Sequence, residues 1–297
     1  MARIIQFLDG GLGNQLFQYA NCYAVARDNK MELSIYSMYN DLMPGSRENG
    51  LRFFSISSEY NKFIPKRLIL EGIKCISKRY INLIFKIQWN SDVNINTKCI
   101  STINEKCKQF APMVLEKGKD FYILKGFWQS SLYFSKYREE IIKLFTPTEE
   151  YIERVMKRPE SKLIVEDIFS VSIHVRHGDF QKIGWVLDPE YYQRAISIIL
   201  KKLGIAHFYV FSDDINWCRD YFSDLENVVF VESDKNNLSY EDMYLMSQCR
   251  HNIIANSTYS WWGAYLNNNQ NKIIVAPKQI VDSTNLDILS GLSWEII

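Results

Sequence analysis

VSIHVRHGDF, residues 171–180, is the stretch on which the reading of this chain turns. It begins as a short apolar run with β-branched residues. It ends in a polar cluster, His174, Arg176, His177 and Asp179, with Gly178 between the last two. A strand that runs into a turn bearing ionisable groups is where open α/β sheets place ligand chemistry. A planar guanidinium there suits phosphate or carboxylate, because its fork donates two parallel hydrogen bonds. The same residues would also serve a surface turn held by an ion pair, so the surroundings have to decide.

Downstream, the pattern is regular. Asp188 caps a helix with Pro189 at its first position, Tyr192, Ala195, Ile196, Ile199 and Leu203 form one stripe, and Gly204 ends it. An apolar strand, 206–211, runs into Ser212, Asp213 and Asp214. A short helix follows with Trp217 and Cys218, then a strand at 228–231. The segment 238–250 reads as a helix whose capping box pairs Ser239 with Asp242. A strand at 252–256, an aromatic helix at 257–266 and a strand at 272–276 complete the alternation. Alternating strands and helices with short turns predict a parallel, doubly wound sheet covered on both faces.

Upstream, 3–8 reads as a buried strand and is followed by DGGLGNQLFQYA. Gly10, Gly11 and Gly13 predict a tight turn, and Asn14 a helix N-cap, with the helix running to about Asn29. Strand, glycine turn and helix start form a ready anion site. It is a poor nicotinamide fingerprint, since Leu16 stands where the third glycine belongs, and no P-loop occurs. Further strands are expected at 31–36 and 120–124, and helices at 131–144 and 148–157. Two amphipathic helices are expected within 64–89, and a linker at 158–162. The segment 91–109 gives no clear pattern. The chain thus divides into 1–157 and 158–297, with the last residues expected to pack back on the first domain.

Composition sets limits. The 297 residues are 47% hydrophobic and 23% charged, enough for two domain cores. The net charge of +1 gives no electrostatic case for nucleic acid. Between Lys62 and Lys119, however, 12 basic residues face 4 acidic ones, a solvated face or a surface for peripheral contact with an anionic membrane. Cys22, Cys75, Cys99, Cys107, Cys218 and Cys249 form no C-x-x-C pair and read as reduced thiols. With no signal-like start and no spanning apolar run, a cytoplasmic protein is expected.

Three polar clusters therefore fall at strand ends: Arg176 to Asp179, Ser212 to Asp214, and Asn256 to Thr258. Together they offer a guanidinium for phosphate, an acidic pair for a base or ribose, and hydroxyls at a helix start. Adjacent carboxylates on a strand end point to opposite faces, which favours ribose or base contact over a metal for Asp213 and Asp214. A helix cap is the alternative for Asp214.

GGLGNQLFQYA at 10–20, SIHVRHGDF at 172–180, FSDDINWC at 211–218 and DMYLMSQCRHNIIANSTYSWWGAYLN at 242–267 closely resemble the α-1,2-fucosyltransferases, glycosyltransferase family eleven. The matches span Gly10 to about Pro277 in the family's order, with 40–120 matching loosely. The resemblance implies an α/β fold of GT-B type, two Rossmann-like domains facing each other across a cleft. It also implies GDP-fucose as donor, inversion of configuration, no metal or other cofactor, and transfer to the 2-hydroxyl of a terminal galactose. The acceptor would belong to a surface polysaccharide or a lipid-linked repeat unit.

On this reading Arg176 clamps the donor diphosphate. It matches the first Arg of the family's H-x-R-R-x-D signature, and His177 replaces the second. Ser257 and Thr258, preceded by Asn256, would hold phosphate oxygens. Ser212 and Asp213 would read guanine or ribose. Gly11, Gly13 and Asn14 would reach the diphosphate, and Asn14, Gln15 and Asp179 the acceptor. Asp179 is the first candidate for the base, with bracing Arg176 as its alternative. His174 on the strand is another, and Asp9 is a further carboxylate. A diphosphate oxygen could take the proton instead. Trp261 and Trp262 read as helix-to-sheet packing. The rival readings are a GDP-sugar transferase of other regiochemistry and an inactive glycan-binding module.

Overall fold

The computed structural model describes residues 2–36, 49–56, 96–105, 109–232, 238–280 and 287–297. The amphipathic helices expected within 64–89, and most of the basic segment from Lys62 to Lys119, lie outside the described residues. The chain forms two compact units. One comprises Met1–Arg52 and Ile56–Leu144, the other Phe53–Ser55 and Phe145–Ile297.

The first unit holds β1 (Arg3–Phe7), α1 (Leu12–Asn29), β2 (Glu32–Tyr36), β3 (Ile100–Asn104), β4 (Phe121–Lys125) and α2 (Arg138–Leu144). Among the described residues its four strands are all parallel, in the order β2-β1-β4-β3. Ile4 and Ile5 on the central β1 are both fully buried, so the sheet is covered on both faces, as parallel sheets require. β3 occupies the segment that gave no sequence pattern. The helix expected from Ser131 is two 3-10 turns, Ser131–Tyr133 and Ser135–Tyr137, before α2 begins; Ser130 rather than Ser131 caps the first of them.

The second unit continues with α3 (Glu149–Val155), α4 (Pro159–Glu166), β5 (Ser170–Val175), α5 (Gly178–Ile183), α6 (Glu190–Leu203), β6 (His207–Ser212), α7 (Ile215–Tyr221), β7 (Val228–Phe230), α8 (Glu241–Gln248), β8 (His251–Ile253), α9 (Thr258–Tyr265), β9 (Ile274–Ala276) and β10 (Glu295–Ile296). Its six strands are parallel in the order β10-β9-β8-β5-β6-β7. The chain winds outward from β5 to β7, then crosses back to place β8 on the other side of β5. The C-terminal ends of β5 and β8 therefore flank the switch point, where doubly wound sheets open a crevice.

Residues 158–162 are not a linker. Arg158 is the N-cap of α4, with Pro159 in its favoured first position. Arg158 is nearly buried and pairs with Asp242 at 2.7 Å and Glu241 at 3.6 Å, while Arg154 reaches Glu241 at 2.8 Å. Phe145 packs edge-on against Trp262 at 5.2 Å. These contacts draw the chain into the second unit from Phe145 onward, upstream of the division expected at 157/158. The last residues, expected to pack back on the first domain, belong to the second unit's own sheet. They form β10 on the edge of β9, where Ile297 N–H donates to the Ala276 carbonyl and Lys278 N–H to that of Ile297.

α6 buries Tyr191, Tyr192, Ala195, Ile196 and Ile199 against the sheet. Tyr191 adds a polar tie, its hydroxyl donating to the Ile254 carbonyl at 2.7 Å. Beneath β5 and β8 runs a chain of buried amides. Asn267 donates to the Cys249 carbonyl and to Asn252 Oδ1, both at 2.8 Å, and Asn252 donates to Ser172 Oγ and the Met246 carbonyl, both at 2.7 Å. Trp261 and Trp262 are wholly buried, as packing residues.

His174 on β5 is tied to α9 through Nδ1 and Ser260 Oγ, 3.0 Å apart. Burial, helped by the Arg176 charge and opposed by Asp213, pushes this imidazole down to about 3. The unfolded chain takes up that proton near 6.5. Below that value the unfolded state binds more protons, so acidification favours it. The second unit is therefore expected to lose stability as pH falls from 6.5 toward 3, and His174→Gln to flatten the loss. Melting temperatures of both proteins across that range provide the measurement.

Candidate active site

Three loops leave the C-terminal ends of the neighbouring strands β6, β5 and β8, and they carry the three polar clusters expected from sequence. The β5 loop is the most highly bonded. Arg176 Nη2 donates to Asp179 Oδ2 at 2.5 Å, and Nη1 lies 3.3 Å from Asp213 Oδ2. Its guanidinium carbon stands 5.4 Å from the centre of the Phe180 ring. The side chain retains 23% exposure, enough to meet a ligand.

Asp213 holds the loop in shape. Its Oδ1 accepts from the His177 N–H at 2.9 Å and its Oδ2 from the Asp179 N–H at 3.5 Å, across the start of α5. Burial pushes this carboxyl up. The His177 N–H, the Arg176 charge and the Gly178 N–H outweigh burial and hold it below its ordinary value. A Cβ on Gly178 would stand 3.2 Å from Asp213 Oδ2, so the carboxylate and the turn fit only closely. Asp213 thus braces the turn, where ribose or base contact was expected.

His177 is 5% exposed and its ring stacks on Trp217 at 4.4 Å. Nδ1 is 2.8 Å from Asp214 Oδ2, and Nε2 is 2.8 Å from Gln181 Nε2. With the carboxylate as acceptor and the amide as donor, this network fits the tautomer protonated on Nδ1. Both ring nitrogens are engaged within the unit, so His177 does not replace the second arginine's fork. Asp214 is the N-cap of α7, accepting from the Trp217 N–H at 3.3 Å. Ser212 Oγ accepts from the Asp214 N–H at 2.9 Å.

On the β8 side, Ser257 is the N-cap of α9 and accepts from the Tyr259 N–H at 3.3 Å, with Thr258 opening the helix. Asn256 is buried. Its Nδ2 donates to the Trp185 carbonyl at 2.7 Å, while its Oδ1 has no hydrogen-bond partner among the described residues. A buried, unfilled acceptor carries a desolvation cost of about 1–3 kcal/mol. At a switch point it marks a place where a ligand's hydroxyl or N–H would be welcome. His174, the third base candidate, sits below this surface as the buried, neutral partner of Ser260.

In the first unit, the glycine turn is tighter than the sequence suggested. Gly10 takes a left-handed φ of 76°, so α1 starts at Leu12 with Gly11 as its N-cap and no capping side chain. Asn14 lies in the first turn, its Oδ1 accepting from Gln129 Nε2 at 2.9 Å. Gln15 is fully buried, donating to the Gly10 carbonyl at 3.0 Å and accepting from the Gly50 N–H at 2.9 Å. It clasps the turn. Asp9 accepts from the Gly10 N–H at 2.6 Å, and burial raises its carboxyl. Gly11 closes the turn as the N-cap, while Gly13, expected in the turn, is buried in the first turn of α1.

The sequence offered no role for Phe180 and Gln181 on α5, Trp185 after it, or Ser260 on α9, whose contacts complete the site. The spacing of Phe180, Gly184 and Trp185 was the available signal, since a left-handed glycine after a short helix brings apolar residues on either side together.

Known proteins resemble this chain both in sequence and in fold. The family model described as "Glycosyl transferase family 11" matches residues 4–288. The O-antigen biosynthesis glycosyltransferase WbnK of Escherichia coli is 31% identical over 97% of this chain and 98% of its own. An alpha-1,2-colitosyltransferase of Escherichia coli is 32% identical over 93% of this chain and 92% of its own. Among solved structures, the fucosyltransferase NodZ from Bradyrhizobium superposes with a TM-score of 0.54, covering 88% of this chain and 91% of that one. At 13% identity that likeness is one of fold, and it agrees with the expected GT-B class of α/β protein. The chain belongs to glycosyltransferase family 11.

Proposed function

We propose that this protein is a galactoside α-1,2-fucosyltransferase. It moves L-fucose from GDP-β-L-fucose to the 2-hydroxyl of a terminal galactose, with inversion and without a metal. The observation that carries the reading is Arg176, held by Asp179 and Asp213 at the end of β5 beside the start of α9. A departing diphosphate gains negative charge. A fixed guanidinium and helix N–H groups aimed at that charge lower the barrier.

The acceptor oxygen attacks the anomeric carbon of fucose on the face opposite GDP. The bond from that carbon to the diphosphate oxygen breaks, and its electron pair leaves with GDP. Arg176 turns toward the diphosphate, with Ser257 and Thr258 as further donors to its oxygens. Asp179, released from Arg176, accepts the hydroxyl proton; a diphosphate oxygen is the other acceptor within the same chemistry. The unfilled Asn256 Oδ1 suits a donor hydroxyl or N–H at the switch point. His174, held neutral by burial, is a weak base and supports the strand instead. The name of the relative WbnK, an O-antigen biosynthesis glycosyltransferase, supports an O-antigen glycan as acceptor; we place the reaction on the cytoplasmic side. The relative named as an α-1,2-colitosyltransferase favours one second reading, a colitosyl donor with the same linkage.

Transfer of radiolabel from GDP-fucose to lactose, with and without EDTA, is the deciding experiment, and a colitosyl nucleotide serves as the competing donor. Label should reach the galactose 2-hydroxyl at an EDTA-independent rate. Failure with every β-galactoside would sink the acceptor assignment, and inhibition by EDTA the metal-free one. Arg176→Ala should lose about 2.7–4 kcal/mol of transition-state stabilisation, the scale of one lost charge-stabilising donor. A fall in kcat below tenfold would remove Arg176 from the clamp. His177→Arg forces a longer cation between Trp217, Asp214 and Gln181 and should destabilise the fold by about 1–3 kcal/mol. Chemical denaturation reads that cost; an equally stable, faster enzyme would mean that position 177 faces the diphosphate.

A further inference from the structure

The loop after α5 carries an exposed aromatic that nothing in the site described above employs. α5 closes in a Schellman motif. The Trp185 N–H donates to the Phe180 carbonyl at 3.0 Å, the Gly184 N–H to the Gln181 carbonyl at 3.4 Å, and Gly184 takes a φ of 70°. The Trp185 carbonyl in turn accepts from the buried Asn256 Nδ2 at 2.7 Å. Both backbone groups of Trp185 are therefore tied down, one to α5 and one to the loop after β8.

Its side chain is treated differently. The Trp185 ring meets the Phe180 ring edge-on, 5.8 Å between centres at 90°, yet it stays 38% exposed. The neighbouring Ile183 is 54% exposed. Phe180 is also the ring over which the Arg176 guanidinium lies. One rigid run of side chains thus leads from the proposed diphosphate clamp through Phe180 to an indole face open to solvent.

A Schellman closure needs only a modest apolar contact between these two positions. Leucine would supply it. A large ring with a fixed backbone and an open face exceeds that need, and it loses little conformational entropy when something stacks on it. We propose that Trp185 is a specificity-determining residue that stacks on the apolar C–H face of a pyranose ring of the acceptor. The loop fits a sugar better than a base. Gln181 commits its Nε2 to His177, Lys182 carries a point charge rather than a planar fork, and Ile183, Gly184, Trp185, Val186 and Leu187 offer no side-chain fork for reading a purine edge. This inference rests on the transferase reading above and adds the acceptor subsite to it.

The test compares the full-length wild type with Trp185→Leu, which keeps the apolar closure, and Trp185→Phe, which keeps a ring. For Trp185→Leu the acceptor KM should rise about three- to tenfold. Its GDP affinity by calorimetry and its melting temperature should stay unchanged. Trp185→Phe should restore most of the acceptor KM. An unchanged acceptor KM in Trp185→Leu would overturn the proposal. So would an equal rise in the GDP Kd, which would move Trp185 to the nucleotide side. If Trp185→Leu proves unstable, fluorescence decides instead: a β-galactoside should quench emission in the wild type and not in Trp185→Phe. That readout stands even if the wild type transfers nothing from GDP-fucose, so failure of the transferase assignment and failure of the stacking platform remain distinguishable. Equal quenching in both proteins would overturn the platform.

Discussion

One carboxylate organises the C-terminal edge of the second unit's sheet. Asp213, at the end of β6, accepts backbone N–H groups from the start of α5 and faces the Arg176 guanidinium. A lone arginine at a strand end would swing through many rotamers, and ordering it on substrate binding would cost entropy. Asp213 and Asp179 hold it in advance. They also balance its charge, so the site is not strongly cationic until a competing anion draws the guanidinium away. The arrangement needs Gly178, because the carboxylate comes too close to that turn to leave easy room for a side chain.

The same edge explains why histidine can stand where the family signature has a second arginine. His177 does not imitate the missing fork. It closes a small internal network of Trp217, Asp214 and Gln181 that fixes α5 to α7. In the proposed reaction, the burden of stabilising a leaving diphosphate then falls on Arg176 and on the first turn of α9. A guanidinium already held near its place has only a short turn to make toward that charge.

Much of the architecture was legible in the sequence because it rests on periodicity. The stripe of α6 and the apolar runs of β5 and β6 appear with nearly the expected bounds. Segments governed by tertiary contact were not legible. β3 is short, with Ser101, Thr102 and Asn104 breaking up its two isoleucines, and it pairs along its length with β4. Residues 158–162 looked like a linker because they are charged, but Arg158 is nearly buried against Glu241 and Asp242, and periodicity is blind to such pairing. At the site, the place of the polar clusters at strand ends was legible, but their intramolecular partners were not. Asp213 and Gln15, expected as ligand contacts, are also hydrogen-bonded within their own units, because a polar side chain near a turn finds backbone close by.

The chain of buried amides beneath β5 and β8 has a consequence for the order of folding. β5 lies at the centre of its sheet, but one of its two neighbours, β8, arrives about 80 residues later, and Asn267 follows later still. Contacts at such separation close slowly, since the loop entropy is lost before the contact repays it. A slip of β8 by one residue would strand the amides of Asn252 and Asn267 in an apolar interior, so the correct register is selected chemically rather than by shape alone. On a ribosome, the loops after β5 and β6 can be made long before the crevice beside them has its second wall. The machinery for handling an activated sugar is therefore completed only after β8 and the start of α9 have followed β5 and β6.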